Sequence, residues 1–301
     1  LPQTIAIFLL ALWLVFSVQL NATANELGSY PDAFSKFQRG DYNQAALLFR
    51  LIHSSAPDST DGKRALYLLA HSLAHINKSN EAIRLFQSSI NSYPEMEDYI
   101  RYYLATILFD SNKNLKALEQ INILLKKFPE TLLYTKTQIL LAKIFEKNGK
   151  KADALNILTE IKKRLLDFSK SSREYSYLPE VIFHLGQLYQ RLGENNSAYD
   201  QYRLLHITHP TDQLTKRSKV LMNKLAKQSD IIIEPLTIDE HARRMSELLN
   251  KVQYQQVVIE VTNLLKTNPL LPGRLYFYLA KAQKGLGKRN LAIVALKNFL
   301  N

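Results

Sequence analysis

The 301-residue chain has no cysteine and is poor in glycine, methionine and tryptophan, with nine, three and one of these residues. The lack of thiols excludes disulfides, cysteine-ligated zinc, a cysteine nucleophile and a lipid anchor on an N-terminal cysteine. The sequence also lacks a glycine-rich phosphate loop, a Gly-x-Ser-x-Gly motif and a kinase signature, so we expect no catalysis within this chain and no cofactor. Hydrophobic residues, in contrast, make up 46% of the chain, which is enough for a large folded core.

Negative charge is also scarce. There are 27 Asp and Glu against 39 Lys and Arg, which gives a formal net charge of +12. No charged residue occurs in the first 24 positions, so the whole excess lies in the rest of the chain. A basic surface favours acidic partners, such as nucleic acid, an anionic membrane or an acidic wall polymer.

The N-terminal segment has the features of an export signal. Residues 5–18 form a fourteen-residue apolar run, which is short for a membrane span of about 20 residues but typical of a signal-peptide core. Ala22-Thr23-Ala24 then supplies a small-x-small cleavage pattern, so residues 1–24 are predicted to be a signal peptide. An uncleaved anchor is the alternative. We expect a periplasmic or secreted protein without a stable membrane span after signal removal, and export argues against nucleic acid as a partner.

One pattern of small and large apolar residues recurs along the rest of the chain. From a turn residue, a small residue follows at the fifth position, large apolar residues at the ninth and twelfth, and often a proline at the seventeenth. Small residues allow two antiparallel helices to approach closely, and Gly or Asn can adopt the left-handed conformation that ends a helix. The pattern therefore predicts about seven helix pairs. Their turns are expected at Gly40, Asn77, Asn112, Gly149, Gly193, Val252 and Gly287.

The spacing of these units resembles that of tetratricopeptide repeats. The small residues of the first five units are 37, 35, 37 and 44 positions apart, against about 34 in that family. The fold class that this resemblance implies is all-α, a tetratricopeptide-like solenoid or superhelix of antiparallel helix pairs. In such arrays the first helix of each pair lines the inner groove. The groove candidates carried over in this way are Tyr99, Tyr102, Phe109, Lys136, Lys143, Lys147, Arg191, Arg274, Phe277, Lys281 and Lys284.

The regular array has two irregularities: a polar, serine-rich loop at residues 167–177 after the fourth repeat, and a larger break after the fifth. About five repeats are expected in residues 25–228, which end in one extra helix over residues 213–228. A connector at residues 229–237 follows, with a sub-domain boundary near residue 230, and further repeats occupy residues 238–301. The final unit stops before a terminating proline or glycine, and no Met or basic residue precedes the apolar run at the front. We therefore expect a fragment, truncated at both ends.

Two polar clusters could carry chemistry. His71 and His75 stand four residues apart on one helix face, as zinc ligands can, but the intervening residues lack the metalloprotease glutamate and no third ligand is evident. Glu95, Glu97 and Asp98 could form an acid–base pair, yet carboxylates at the start of a helix more often complement its dipole. We therefore predict neither a metal site nor a catalytic residue.

The chain also resembles one exported family, the soluble lytic murein transglycosylases, in their helical superhelix. The resemblance is carried by residues 99–105 (YIRYYLA), by residues 127–129 (KFP) and by residues 234–237 (EPLT). In that family a separate lysozyme-like domain, C-terminal to the helices, cleaves peptidoglycan with a glutamate that is followed by serine. No glutamate is followed by serine here, and the family's Gly-Leu-Met-Gln block is absent, so no catalytic residue can be carried over.

Two functions remain open from the sequence. The resemblance implies a non-catalytic helical region of a lytic transglycosylase in cell-wall turnover, which would bind peptidoglycan or an acidic envelope polymer. The alternative is a stand-alone periplasmic repeat protein that binds protein partners in its groove during envelope assembly.

Overall fold

The computed structural model describes residues 29–228, 231, 233–267 and 273–300. The predicted signal peptide lies outside the described residues. Within them the structure contains fifteen α-helices and no strand, which confirms the all-α prediction. The helices are α1 Tyr30–Gln38, α2 Tyr42–Ser55, α3 Thr60–His75, α4 Ser79–Ser92, α5 Glu97–Asp110, α6 Asn114–Lys127, α7 Tyr134–Lys147, α8 Lys151–Leu166, α9 Leu178–Arg191, α10 Asn195–Thr208, α11 Gln213–Gln228, α12 Ile238–Asn250, α13 Tyr254–Thr267, α14 Arg274–Gly285 and α15 Arg289–Leu300. Short 3₁₀ turns at Pro94–Met96 and Tyr175–Tyr177 precede α5 and α9.

The predicted turn residues all adopt the left-handed conformation that separates the two helices of a pair. Their φ angles run from 59° at Asn112 and Val252 to 81° at Gly149. Glycine takes this conformation without steric cost and asparagine tolerates it, whereas the β-branched Val252 is strained there. Among the described residues these turns separate the two consecutive helices of seven pairs. α11 is the one described helix outside them, and it has the bounds that the sequence suggested.

Several pairs bury a small residue on the first helix and a large one on the second. Ala70 and Phe86, or Ala105 and Ile121, are buried and occupy equivalent positions in successive repeats. In the α9–α10 pair these positions hold Gly186 and Tyr202. A Cβ at Gly186 would stand 2.4 Å from Cε1 of Tyr202, so the larger ring requires glycine opposite it.

The chain divides into two compact units between Asn148 and Gly149. The sub-domain boundary near residue 230 stays a prediction. The first unit holds α1 to α7 and the second α8 to α15. Within the described part of each unit, successive helices pack on one another, except that α12 packs on α10 and not on α11. Several helices also contact the next helix but one. No helix among the described residues is both long enough and apolar enough to cross a membrane.

Arg203 explains why the second unit stays compact across the connector. From α10 its guanidinium donates to the carbonyl oxygens of Glu234 and Pro235 and to both carboxylate oxygens of Glu240, at 2.5 to 3.1 Å. Glu240 in turn forms the predicted capping box, in which the Glu240 amide donates to Thr237 Oγ1 at 3.2 Å and the Thr237 amide donates to Glu240 Oε2 at 2.8 Å. The connector and the start of α12 are therefore held against α10.

Arg244 makes a second, more deeply buried link. Only 5% of the residue is exposed. Its guanidinium donates to both carboxylate oxygens of Glu260 on α13, at 2.8 and 2.9 Å, and to the carbonyl oxygen of His206 near the end of α10. Burial raises the pKa of Glu260, but the hydrogen bonds from Arg244 outweigh it and hold that pKa below its usual range. Arg244 thus joins α10, α12 and α13.

Candidate functional site

The predicted groove residues fall into two groups, one in each compact unit. Those of the first unit are on α5 and α7: Tyr99, Tyr102, Phe109, Lys136, Lys143 and Lys147. Those of the second unit are on α9 and α14: Arg191, Arg274, Phe277, Lys281 and Lys284. Their role as a binding surface stays a prediction, and each group is a separate candidate.

In the first unit, the structure brings Tyr102 into an aromatic cluster, defined here as Tyr67, His71, Tyr102 and Tyr103. Tyr102 and Tyr103 meet edge to face on α5, with ring centroids 5.2 Å apart. Tyr103 reaches His71 on α3, at 4.1 Å, and His71 contacts Tyr67 at 4.6 Å. All four side chains are half-buried, so the cluster joins two consecutive first helices and still presents ring surface to solvent.

His71 is an uncharged member of this cluster. Burial lowers its pKa to about 3, with a smaller contribution from nearby His75. Its ring also packs edge-on against Phe86 at 5.1 Å, and Nε2 has no hydrogen-bond partner in the described part of the chain. Burial acts in the opposite direction on Tyr67 and raises the pKa of that phenol, with Tyr103 nearby. The cluster is therefore neutral at ordinary pH.

The two histidines that the sequence singled out pack among rings. His75 is exposed and stacks on Tyr42, with ring centroids 4.1 Å apart and ring planes 6° from parallel. Phe37 contacts both imidazoles edge to face, at 6.3 Å from His71 and 6.4 Å from His75. In the described residues, no group of three or more metal-ligating side chains is assembled. Ring packing accounts for the spacing of this pair.

One lysine of α7 lies beside an aromatic residue of α5. Lys147 places Nζ 4.8 Å from the ring centroid of Phe109 and donates to Oδ1 of Asn112 at 2.6 Å. Its ammonium is therefore already held by a cation–π contact and by the turn that follows α5. Lys136 and Lys143 are half-buried on the same helix. At least one of the basic side chains of the predicted groove in this unit thus already has partners within the protein.

The carboxylates near the start of α5 form a structural ion cluster. Glu97 is 5% exposed and accepts from Arg101 at 2.7 Å and from Lys127. Burial raises the pKa of Glu97, but the hydrogen bonds from Lys127 and Arg101 outweigh this effect and lower it below the usual range. Asp98 accepts from Thr131 Oγ1 at 2.6 Å. Both carboxylates thereby attach α5 to the end of α6 and to the loop that follows it.

The second group of predicted residues lies mostly on α14. Lys281 Nζ sits 4.4 Å from the ring centroid of Phe277, which also contacts Phe299 on α15 at 5.6 Å. Arg274 donates to Asp239 on α12 at 2.7 Å, and both side chains are exposed. Lys284 is exposed on the same helix. Here, too, most of the predicted groove residues contact other residues of the protein.

Sequence reasoning named Tyr102 but missed Tyr67, His71 and Tyr103 as its partners. A signal was present, because Tyr67 and Tyr102 stand three residues before the small residues Ala70 and Ala105 of their repeats. Equivalent positions in a solenoid lie on one face, so two tyrosines there predict a shared surface.

Comparison with known proteins agrees with this architecture. A tetratricopeptide-repeat family model matches residues 64–95, which contain most of α3, all of α4 and the turn after it. The sequence matches no curated protein. Among solved structures, the chain is similar to a tetratricopeptide repeat protein from Parabacteroides merdae, at 14% identity, with a TM-score of 0.52 and 91% of each chain covered. It is also similar to BtubC (BKLC) from P. vanneervenii, at 14% identity, with a TM-score of 0.50 and with 68% of this chain and 83% of that one covered. The predicted tetratricopeptide-like solenoid is thereby confirmed as the fold.

Proposed function

We propose that this chain is a non-catalytic helical repeat scaffold that binds a protein partner through the first helices of its first unit. The observation that carries the proposal is the aromatic cluster. Tyr67, His71, Tyr102 and Tyr103 connect α3 to α5 and are half-buried, while the opposite sides of these helices form the core. Repeat scaffolds use such faces because successive units present equivalent positions along an extended surface.

The chemistry of the cluster suits a polypeptide. Tyrosine rings supply a large apolar contact area at little cost in side-chain entropy, and they are enriched at the energetic centres of protein interfaces. The phenol groups add hydrogen bonds at the edge of that area. Because His71 is held uncharged by its surroundings, a partner contacting these rings meets an apolar surface with polar hydroxyls at its margin.

Site-specific photo-crosslinking in the source cells tests this proposal. Benzoylphenylalanine at Tyr102 should give an adduct with a defined protein partner. The same group at Leu115, which is 78% exposed on α6 of the same unit, is the matched control and should not give that adduct. Tyr67→Ala should reduce the adduct at position 102 several-fold. Equal crosslinking from positions 102 and 115, or no adduct at all, would contradict the proposal.

A narrower form of the proposal places this scaffold in the bacterial envelope, as the non-catalytic region of a lytic transglycosylase. It is supported by the apolar run at residues 5–18, by Ala22-Thr23-Ala24 and by the family resemblance of residues 99–105. Cell fractionation should then recover the protein from the periplasm. Isolated sacculi should retain it, and salt should weaken that retention. Recovery from the cytoplasm with residues 5–18 still attached would remove the narrower proposal and leave the protein-binding scaffold standing.

A further inference from the structure

The extra helix α11 is the most one-sidedly charged helix of the second unit. Its sixteen residues contain Lys216, Arg217, Lys219, Lys224 and Lys227 and no carboxylate. The second unit as a whole has 24 Lys and Arg against 14 Asp and Glu, whereas the first has 15 against 13. Most of the chain's positive charge therefore belongs to the second unit, and α11 accounts for half of that unit's excess.

The cations of α11 lie on the side that faces away from the core. Thr215, Ser218 and Leu225 are buried on one side, where the helix packs against α9 and α10. At about 100° per residue, Lys216, Lys224 and Lys227 lie together on the opposite side, and all three are exposed. With a rise of about 1.5 Å per residue, they form a row roughly 16 Å long. This row, with Lys219 at its edge, is called the α11 basic face below.

The lysines of this face are not neutralised by the protein. Across the described residues, Lys216, Lys219, Lys224 and Lys227 form no ion pair. Arg217 instead places its guanidinium over the ring of Phe183 on α9, at 5.0 Å. Like charges this close on one helix repel one another, because residues three and four apart are neighbours. An anionic partner would relieve that repulsion and gain Coulomb energy at several points together.

The single large apolar side chain exposed on α11, as far as its burial is described, is Val220. It is 68% exposed and stands between Lys216 and Lys224, four residues from each. An interfacial membrane helix presents a wide apolar face to lipid, but the other large apolar residues of α11 are buried or half-buried on its core side. A polysaccharide anion would have little use for an apolar contact in the middle of the row. An apolar centre flanked by cations instead matches an acidic polypeptide.

We propose that the α11 basic face is a second docking site, which binds an acidic polypeptide segment that carries apolar side chains among its carboxylates. The lysines pair with the carboxylates as flexible point charges, and Val220 contacts the apolar side chains. This site lies in the second unit and uses none of the residues of the aromatic cluster. The proposal for this site can therefore be tested independently of the function proposed for the first unit.

Fluorescence anisotropy with the full chain and a labelled glutamate–leucine peptide tests the proposal. The variant Lys216→Gln, Lys219→Gln, Lys224→Gln, Lys227→Gln keeps good helix formers on α11 and should weaken binding by about tenfold, since exposed ion pairs contribute a few tenths of a kcal/mol each. The matched control removes four exposed lysines elsewhere in the same unit, by Lys163→Gln, Lys266→Gln, Lys288→Gln and Lys297→Gln. It should leave binding within about twofold.

Further arms separate the acidic polypeptide from other anions. Val220→Ser should weaken binding of the glutamate–leucine peptide several-fold but leave binding of poly-L-glutamate unchanged. Vesicles of phosphatidylglycerol and the polysaccharide polygalacturonate should bind less well than the peptide and should not respond to Val220→Ser. Equal losses in the two quadruple variants would overturn the proposal, because net charge alone would then explain binding. Tighter, α11-dependent binding of the vesicles or of polygalacturonate would also overturn it, in favour of a membrane or a glycan.

Discussion

In the first compact unit, α3 and α5 meet through rings, with His71, Tyr67 and Tyr103 within 6.4 Å of one another. In the second unit, α10, α12 and α13 are joined by two arginines, each paired with a carboxylate and also bound to a backbone carbonyl. Both units are built from the same kind of helix pair. The interactions that join successive pairs are nevertheless of different chemical kinds.

The regularity of the repeat explains this difference. The first three repeats are 37 and 35 residues apart, so equivalent positions face one another. Apolar or aromatic side chains can therefore pack from repeat to repeat. After α10 the spacing is broken by α11 and by a non-helical connector. Carbonyl groups of the connector then lack regular helical partners, and an arginine can satisfy them while it pairs with a carboxylate. Arg203 and Arg244 thus replace repeat packing where the repeat is interrupted.

The largest expected effect comes from removing the buried arginine of the second unit. Arg244→Ala should destabilise that unit by about 3–5 kcal/mol, because Glu260 and the His206 carbonyl lose their partner at a mostly buried site. Hydrogen exchange should then accelerate in α12 and α13 while α3 and α5 stay protected. Arg274→Ala is the control, since the exposed pair of Arg274 and Asp239 is worth about 1 kcal/mol or less. Equal effects of the two substitutions would show that the link through Arg244 does not hold the unit together.

A smaller loss of stability is expected when Gly186 and Tyr202 of the α9–α10 pair are replaced by the equivalent residues of the α5–α6 pair. Gly186→Ala alone should cost about 2–3 kcal/mol, because its Cβ would overlap the ring of Tyr202. Adding Tyr202→Ile reproduces the pair formed by Ala105 and Ile121 and should recover most of the loss. A double-mutant cycle by urea denaturation measures the coupling. If the second substitution adds to the loss instead, ring size is not what requires glycine.

A third prediction concerns acid and the aromatic cluster of the first unit. The pKa of His71 is lowered to about 3 in the folded protein, against about 6.5 in an unfolded chain. The unfolded state therefore binds the proton more readily, and the contribution of neutral His71 to stability is present above pH 6.5 and is lost as the pH falls from 6.5 towards 3. At pH 4.5, two pH units below the pKa in the unfolded chain, the loss should be about 2–3 kcal/mol.

The measurement is hydrogen exchange in α3 and α5 at pH 7 and pH 4.5, after correction for the intrinsic exchange rate. His71→Leu keeps an apolar side chain in the cluster and should remove most of the difference between the two conditions. In the second unit, His206 and His209, whose pKa values burial lowers to about 4, should still give α10 an acid dependence. An unchanged acid response of α3 and α5 in the variant would refute the role of His71.

Local sequence signals predicted much of the architecture. The turn residue, the small residue and the large apolar residue of each unit are set by steric requirements within one pair, so Asn77, Ala82 and Phe86 could be read without a structure. The bounds of α11 and the capping box at Thr237 also depend on neighbours in sequence. The candidate site was predicted less well, because Tyr103 and His71 come from different repeats and their contact depends on how two pairs stack.

Periodicity and composition by themselves determined that this protein is a row of helix pairs with left-handed turns and an excess of positive charge, because these properties depend on residues close together in the chain. Tertiary structure alone decided where that charge is neutralised. It paired Arg203 and Arg244 with carboxylates 37 and 16 residues away and set Lys147 against Phe109, while it left the lysines of α11 exposed. Whether a basic side chain has a partner depends on which distant carboxylate or ring the fold brings within a few ångströms of it. No local pattern in the sequence specifies that distance.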